Sequence, residues 1–144
     1  EIKKASDKDE KIAFRLNGTS DIDFLYLLNK NLHFDIELLN YDKVYFYDYT
    51  KSIARAKRYK DFRNYTLTFS KSETNDKEVK EALNLGINVA AVFKDNLPQK
   101  YKGIKVIDGD KSDLEMINHK NIILGLKAKG DAKKDTTGFV ITNY

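Results

Sequence analysis

The sequence predicts an α/β fold, a mostly parallel sheet of about six strands with βα crossovers, laid out either as a partial (β/α) barrel or as an open twisted sheet. Three observations predict it. Runs that are apolar on both faces recur at 12–16, 44–47, 65–69, 89–93, 106–107 and 122–126, as strands covered by helices on both sides do. The first three end abruptly in small polar and acidic residues, Asn17-Gly18-Thr19-Ser20-Asp21, Asp48-Tyr49-Thr50-Lys51 and Ser70-Lys71-Ser72-Glu73. No Asn-Gly or Asp-Gly pair joins two neighbouring runs as a two-residue hairpin, since Asn17-Gly18 leads into a helix and Asp108-Gly109 precedes the helical stretch 112–117, so parallel pairing through crossovers is the economical topology.

Between the runs the helices follow in order. Glu1 to Glu10 reads as a charged helical lead-in. Ser20 is placed to cap a helix with Asp23 at the capping-box position and Ile22, Leu25 and Leu28 on its apolar face. A short helical piece is expected near 35–39 before Val44. Residues 50–59, rich in alanine and basic side chains, read as a surface helix. Asn75, with Glu78 three residues on, opens a helix that Gly86 stops. The last helical stretch, 112–117, precedes the final run. Gly125, Gly130 and Gly138 punctuate a tail expected to wrap across the strand ends as a flexible closing segment.

A chain of 144 residues, 41% hydrophobic and 33% charged with a single proline, has the composition of one globular domain able to bury a core. One α/β domain is therefore expected over 1–144. Because the chain opens without methionine, the expectation is a fragment of a longer protein. No apolar run is long enough for a membrane helix, and a cytoplasmic protein without membrane partners is expected. The absence of cysteine removes thiolate ligation of zinc or iron–sulfur clusters.

Polar residues at strand carboxyl ends are where parallel sheets put ligands. The candidate ligand-binding residues are therefore Asn17, Thr19 and Asp21 after the first run, Asp48, Thr50 and Lys51 after the second, and Ser70, Ser72 and Glu73 after the third. Asp108 and Asp110 follow the fifth, and Lys127 and Lys129 the last. The 17–21 turn offers backbone N–H groups and hydroxyls to an anion or a ribose, but lacks the glycine spacing of a P-loop or dinucleotide fingerprint. Asp108-Gly109-Asp110-Lys111-Ser112-Asp113 opens like a calcium loop and then fails, with Asp113 where the turn glycine belongs and His119 where the bidentate glutamate belongs. No metal site is assigned, and no catalytic residue. Ser70-Lys71 has the wrong spacing for a Ser-x-x-Lys nucleophile, and His33 and His119 have no ligand spacing.

Five motifs in order, Arg15-Leu16-Asn17-Gly18-Thr19-Ser20-Asp21, Tyr47-Asp48-Tyr49-Thr50-Lys51, Leu67-Thr68-Phe69-Ser70-Lys71-Ser72-Glu73, Val106-Ile107-Asp108-Gly109-Asp110 and Gly125-Leu126-Lys127-Ala128-Lys129-Gly130, resemble the gene product 88 family of phages and plasmids. The resemblance spans about Ile12 to Ile141. It implies a protein of a phage or mobile element with a partial (β/α) barrel and no established reaction. The resemblance also implies longer members with an amino-terminal cysteine-containing segment, of which this chain would be the carboxyl-terminal part; that layout is similar to radical-SAM barrels, so S-adenosylmethionine enters by that analogy alone. Asn17, Thr19, Asp48, Ser70, Ser72 and Lys127 would then be candidate contacts, while cluster binding has no cysteine to rest on here.

The function expected is a small molecule of phosphate or nucleotide kind bound at the strand carboxyl ends, whether or not an enzyme acts on it. The alternative is a non-enzymatic module that binds nucleic acid or an acidic partner through the basic stretches 51–63 and 127–134, with Tyr47, Tyr49, Tyr59 and Tyr65 available to stack on bases. The formal net charge of +4, from 26 basic and 22 acidic residues, gives that alternative little global support. An open edge at the first strand would also invite a homodimer.

Overall fold

The structure is a computed structural model, and it describes residues 7, 8, 10–32 and 43–144. The expected lead-in helix lies largely, and the expected helix near 35–39 wholly, outside the described residues. The elements are β1 (Ile12–Arg15), α1 (Phe24–Leu32), β2 (Val44–Thr50), α2 (Ile53–Tyr59), β3 (Tyr65–Ser70), α3 (Asp76–Asn84), β4 (Val89–Phe93), β5 (Lys100–Tyr101), β6 (Ile104–Asp108), α4 (Glu115–Asn118), β7 (Ile123–Lys127), a 3₁₀ turn (Gly130–Lys134) and β8 (Val140–Ile141).

The sheet is open, in the order β1-β2-β3-β4-β7-β6-β5, which selects the open twisted sheet over the partial barrel. The first six strands in this order run parallel, and all six expected runs are among them. Two short strands were not foreseen. β5 pairs antiparallel with β6 across Lys102 and Gly103, whose φ values of 49° and 82° give the two left-handed residues a tight hairpin needs. The expectation of no hairpin fails here because Lys-Gly fills a turn usually signalled by Asn-Gly or Asp-Gly. β8 pairs with β4 at Val92 and Phe93, beyond the two positions where β3 pairs with it. The tail thus returns to the strand ends as expected, but pinned in the sheet.

The strand alternation sorts the core into two layers. Phe46, Leu67, Phe69 and Val89 point to the face covered by α1, α2 and α3, where Leu25, Ala56, Tyr59, Val79 and Ala82 meet them. Tyr47, Ala90 and Leu124 point the other way, against Met116 of α4. The change of face follows from topology: the chain passes from β4 to β6 and comes back to insert β7 between them. A right-handed crossover that runs backwards puts its helix on the opposite face. Since α4 has four residues, much of that second face is roofed by the 109–114 loop instead.

Local signals explain the helix ends, with two corrections. Asp23, not Ser20, caps α1, its Oδ1 accepting the Tyr26 N–H at 3.1 Å. The helix in 50–59 starts at Ile53 with Ser52 accepting from the Arg55 N–H, and it buries Arg55, Ala56 and Tyr59 rather than lying free on the surface. α3 ends as expected: Gly86 has φ 75°, its N–H reaches the Leu83 carbonyl at 3.0 Å and the Ile87 N–H reaches Ala82 at 2.9 Å, the paired bonds of a Schellman cap. Asn75 precedes α3 but uses its side chain on the preceding turn, accepting from Ser72 N–H and donating to the Ser70 carbonyl. Among the described residues no helix is long and apolar enough to cross a membrane.

Candidate functional site

The polar residues at the strand carboxyl ends divide between the two faces of the sheet, and the two groups behave differently. On the helical face, Asp48 of β2 is fully buried. It accepts the Asn17 backbone N–H at 3.1 Å, the Asn17 side-chain amide, and the Arg55 guanidinium at 3.2 Å. Arg55 also binds Asp21 at 2.7 Å and donates to the Tyr65 hydroxyl at 2.8 Å. Ser20 donates to Asn17 Oδ1, and the Lys51 N–H reaches the second oxygen of Asp21. Burial alone would lower the Arg55 pKa, but Tyr65, Asp48 and Asp21 more than offset it and hold the guanidinium charged. This network ties the β1–α1 turn to β2 and α2. Three expected ligand contacts, Asn17, Asp21 and Asp48, are brought together here with protein groups as their partners.

Thr50 belongs to the same side, buried, with its hydroxyl accepting the Ser52 N–H. Ser72 is buried in the α3 approach, and Glu73 and Thr19 are exposed and apart from either group. Asp108 accepts the Asp110 N–H within its own loop.

On the other face a cavity of about 480 Å³ opens at the strand carboxyl ends. It is lined by Arg15 of β1, Tyr49 of β2, Ser70 of β3, Val92 of β4, Leu126 of β7 and Phe139 of the tail, with Asp110 and Asp113 at its rim. The register builds it. Arg15 pairs with Tyr47, Tyr49 with Thr68, Ser70 with Ala90 and Val92 with Leu126, so same-face residues of successive strands lie side by side. The Arg15 guanidinium lies 5.0 Å from the Tyr49 ring centroid, a cation–π contact that fixes its plane.

The 109–114 loop crosses over this cavity and is anchored at both sides. Asp110 accepts the Lys127 N–H at 2.8 Å and the Lys129 ammonium at 2.8 Å. Burial would raise its pKa, but these hydrogen bonds and the two lysine charges outweigh it and hold the carboxyl below its usual range. Asp113 accepts the Tyr47 hydroxyl at 2.6 Å, from a strand on the far side of β3 and β4. Burial, and then that bond to a carboxylate, push the Tyr47 pKa up to about 12. Tyr49 is also raised, chiefly by burial, so its hydroxyl stays protonated. The tail wall is set by Asp135, which accepts the Thr137, Gly138 and Val140 N–H groups and so positions Phe139.

Of the expected candidates, Ser70 and Asp110 border the cavity, and Lys127 and Lys129 hold Asp110 in place. Arg15, Tyr47, Asp113 and Phe139 were not singled out as ligand contacts. Strand parity, counted from the buried members of each run, was the signal that separated Tyr49 and Ser70 from Asp48 and Thr50. Among the described residues no three His, Asp or Glu side chains gather as metal ligands would.

Several cations of the basic stretches are paired with carboxylates. Arg58 pairs with Asp23 at 2.9 Å, Lys60 with Asp61 at 2.6 Å, Lys57 with Glu81, and Lys134 with Asp131 at 3.6 Å. Tyr47, Tyr59 and Tyr65 are buried in the core, where aromatic residues near strands more often lie, and are not available for stacking, whereas Tyr49 keeps part of its surface in the cavity.

No curated protein and no solved structure gives a significant match to the chain. The sequence profile of the family described as gene product 88 matches residues 1–143, and by that match the chain belongs to the gene product 88 family.

Proposed function

We propose that this chain binds a small molecule of phosphate- or nucleotide-bearing kind in the cavity between Arg15, Tyr49, Ser70 and Phe139. The observation that carries the reading is the cavity itself. Its volume of about 480 Å³ falls in the range of small-molecule sites, and it sits at the carboxyl ends of parallel strands, beside the β4–β7 pair where the strand order reverses. Its walls combine apolar surface from Val92, Leu126 and Phe139 with a few convergent polar groups, the usual make-up of a ligand pocket.

The test is a titration with nucleoside monophosphates followed by amide chemical shifts. Shifts should cluster at Arg15, Tyr49, Ser70 and Leu126, and Val92→Phe, which fills the cavity from a half-buried position, should abolish them while leaving the melting temperature unchanged. Shifts confined to the Asn17–Asp48–Arg55 network would move the site to the helical face. The nucleic-acid reading has less behind it, because Arg55, Lys57, Arg58 and Lys60 each face a carboxylate. Affinity for single-stranded DNA or RNA that falls steeply with salt would restore it.

A further inference from the structure

We infer that the ligand carries one anionic head, a phosphate or a carboxylate, on an apolar body, and that Arg15 and the Tyr49 and Ser70 hydroxyls hold the head. The inference rests on the cavity reading above and narrows it to a class of ligand.

It follows from which polar groups around the cavity already have partners. Both carboxylates do: Asp110 takes the Lys127 N–H and the Lys129 ammonium, and Asp113 takes the Tyr47 hydroxyl. Lys71 also borders the cavity, but its ammonium is bound to the Ser72 carbonyl at 3.0 Å and lies 3.7 Å from Asp76. The Arg15 side chain makes no ion pair or hydrogen bond with any described residue and lies over the Tyr49 ring. The Tyr49 and Ser70 hydroxyls likewise have no hydrogen bond to any described residue. What the protein leaves unsatisfied is therefore a guanidinium, which can only donate, beside two hydroxyls that are able to donate with it, and such a set favours an acceptor-rich group. A guanidinium does so most strongly for a carboxylate or phosphate, whose oxygens match its fork.

The same accounting limits the charge. Arg15 is the lining cation without a partner, since Lys71 is bound to the Ser72 carbonyl, so a second or third phosphate would find no free cation and would approach Asp113, whose partner is a neutral hydroxyl; like charges brought together oppose binding. The rest of the lining, Ala90, Val92, Leu126 and Phe139, has nothing to offer a polar tail and suits an apolar or aromatic one. Since the Tyr49 ring already holds the guanidinium plane, little rotamer freedom remains to be lost on binding.

The experiment is calorimetric titration of the chain with phenyl phosphate, benzoate and benzyl alcohol, and with adenosine monophosphate and triphosphate. Phenyl phosphate and benzoate should bind, and whichever binds tighter names the head group. Benzyl alcohol should bind about 10- to 100-fold more weakly, the loss expected for a charged hydrogen-bonding pair. Arg15→Ala should erase that preference, Arg15→Lys should regain part of it, and a thermal melt should show both variants folded. Adenosine triphosphate should bind no tighter than the monophosphate. Benzyl alcohol binding as tightly as the anions, or an unchanged preference in Arg15→Ala, would overturn the anionic head while leaving the cavity reading in place. A triphosphate that binds tighter would overturn the single-charge limit. No binding by any of these probes would overturn both readings together.

Discussion

The two faces of one strand end make opposite use of similar residues. On the helical face Asn17, Asp21, Asp48, Arg55 and Tyr65 are bonded to one another, with the Arg55 Nε the member that keeps no partner. One residue further along β2, on the opposite face, Tyr49 meets Arg15 in a cavity where donors remain unused. Polar residues after a strand are thus of two kinds. Those on the covered face knit the turn to the next helix, and those on the less covered face stay available to a ligand.

Substitutions should separate the two sets, and the largest effect belongs to the network. Asp48→Ala leaves Arg55 buried without its central partner, and breaking a buried pair in this way costs about 3–5 kcal/mol, readable by denaturant unfolding. A variant of normal stability that failed to bind ligand would make the network a site and collapse the distinction. A smaller loss, about 1 kcal/mol, is expected for Tyr47→Phe, which removes the bond to Asp113. It carries a pH signature as well. With its folded pKa about 12 against an ordinary value near 10, Tyr47 favours the folded state most below the ordinary value. That contribution is lost as pH rises through the folded value. The alkaline decline in stability should flatten in Tyr47→Phe, and an unchanged decline would mean that folding does not raise the Tyr47 pKa.

At the acid end the sign reverses. Asp110 is held below the usual carboxylate range, so its contribution is present above that range and disappears as pH falls through the lowered value. Asp110→Asn should remove this acid dependence, and melting curves across acid pH would show it. The smallest effect is expected at Arg15. Being exposed and outside any ion pair with described residues, Arg15→Ala should change stability by no more than about 0.5 kcal/mol. A large loss would mean that its stacking on Tyr49 is structural and that the cavity face is knit like the other.

Much of this fold is written in local pattern. All six apolar runs became parallel strands because each is apolar on both sides, and the α3 stop was legible in Gly86. The hairpin at Lys102-Gly103 and the short β8 were not, since two-residue strands carry no periodicity and the turn lacks Asn or Asp. The site was half legible. Every candidate sat near a strand end, but whether a side chain met the helices or the cavity depends on register, and register is a property of pairs of strands. Asp113 and Phe139 could not be found at all from the runs, because a loop and a tail reach the cavity from distant parts of the chain.

Asn88, buried at the start of β4, donates its side-chain amide to the Met116 and His119 carbonyls at 2.9 and 2.7 Å and accepts the Ile122 N–H at 3.3 Å. These bonds hold both ends of α4, a helix too short to persist alone. In kinetic terms α4 is expected to form only once the strand that follows Asn88 is in place, so the helix on this face depends on the sheet beneath it. Substitutions in α4 then speed unfolding more than they slow folding. The second face of the sheet is therefore expected to be the last part of the molecule to order.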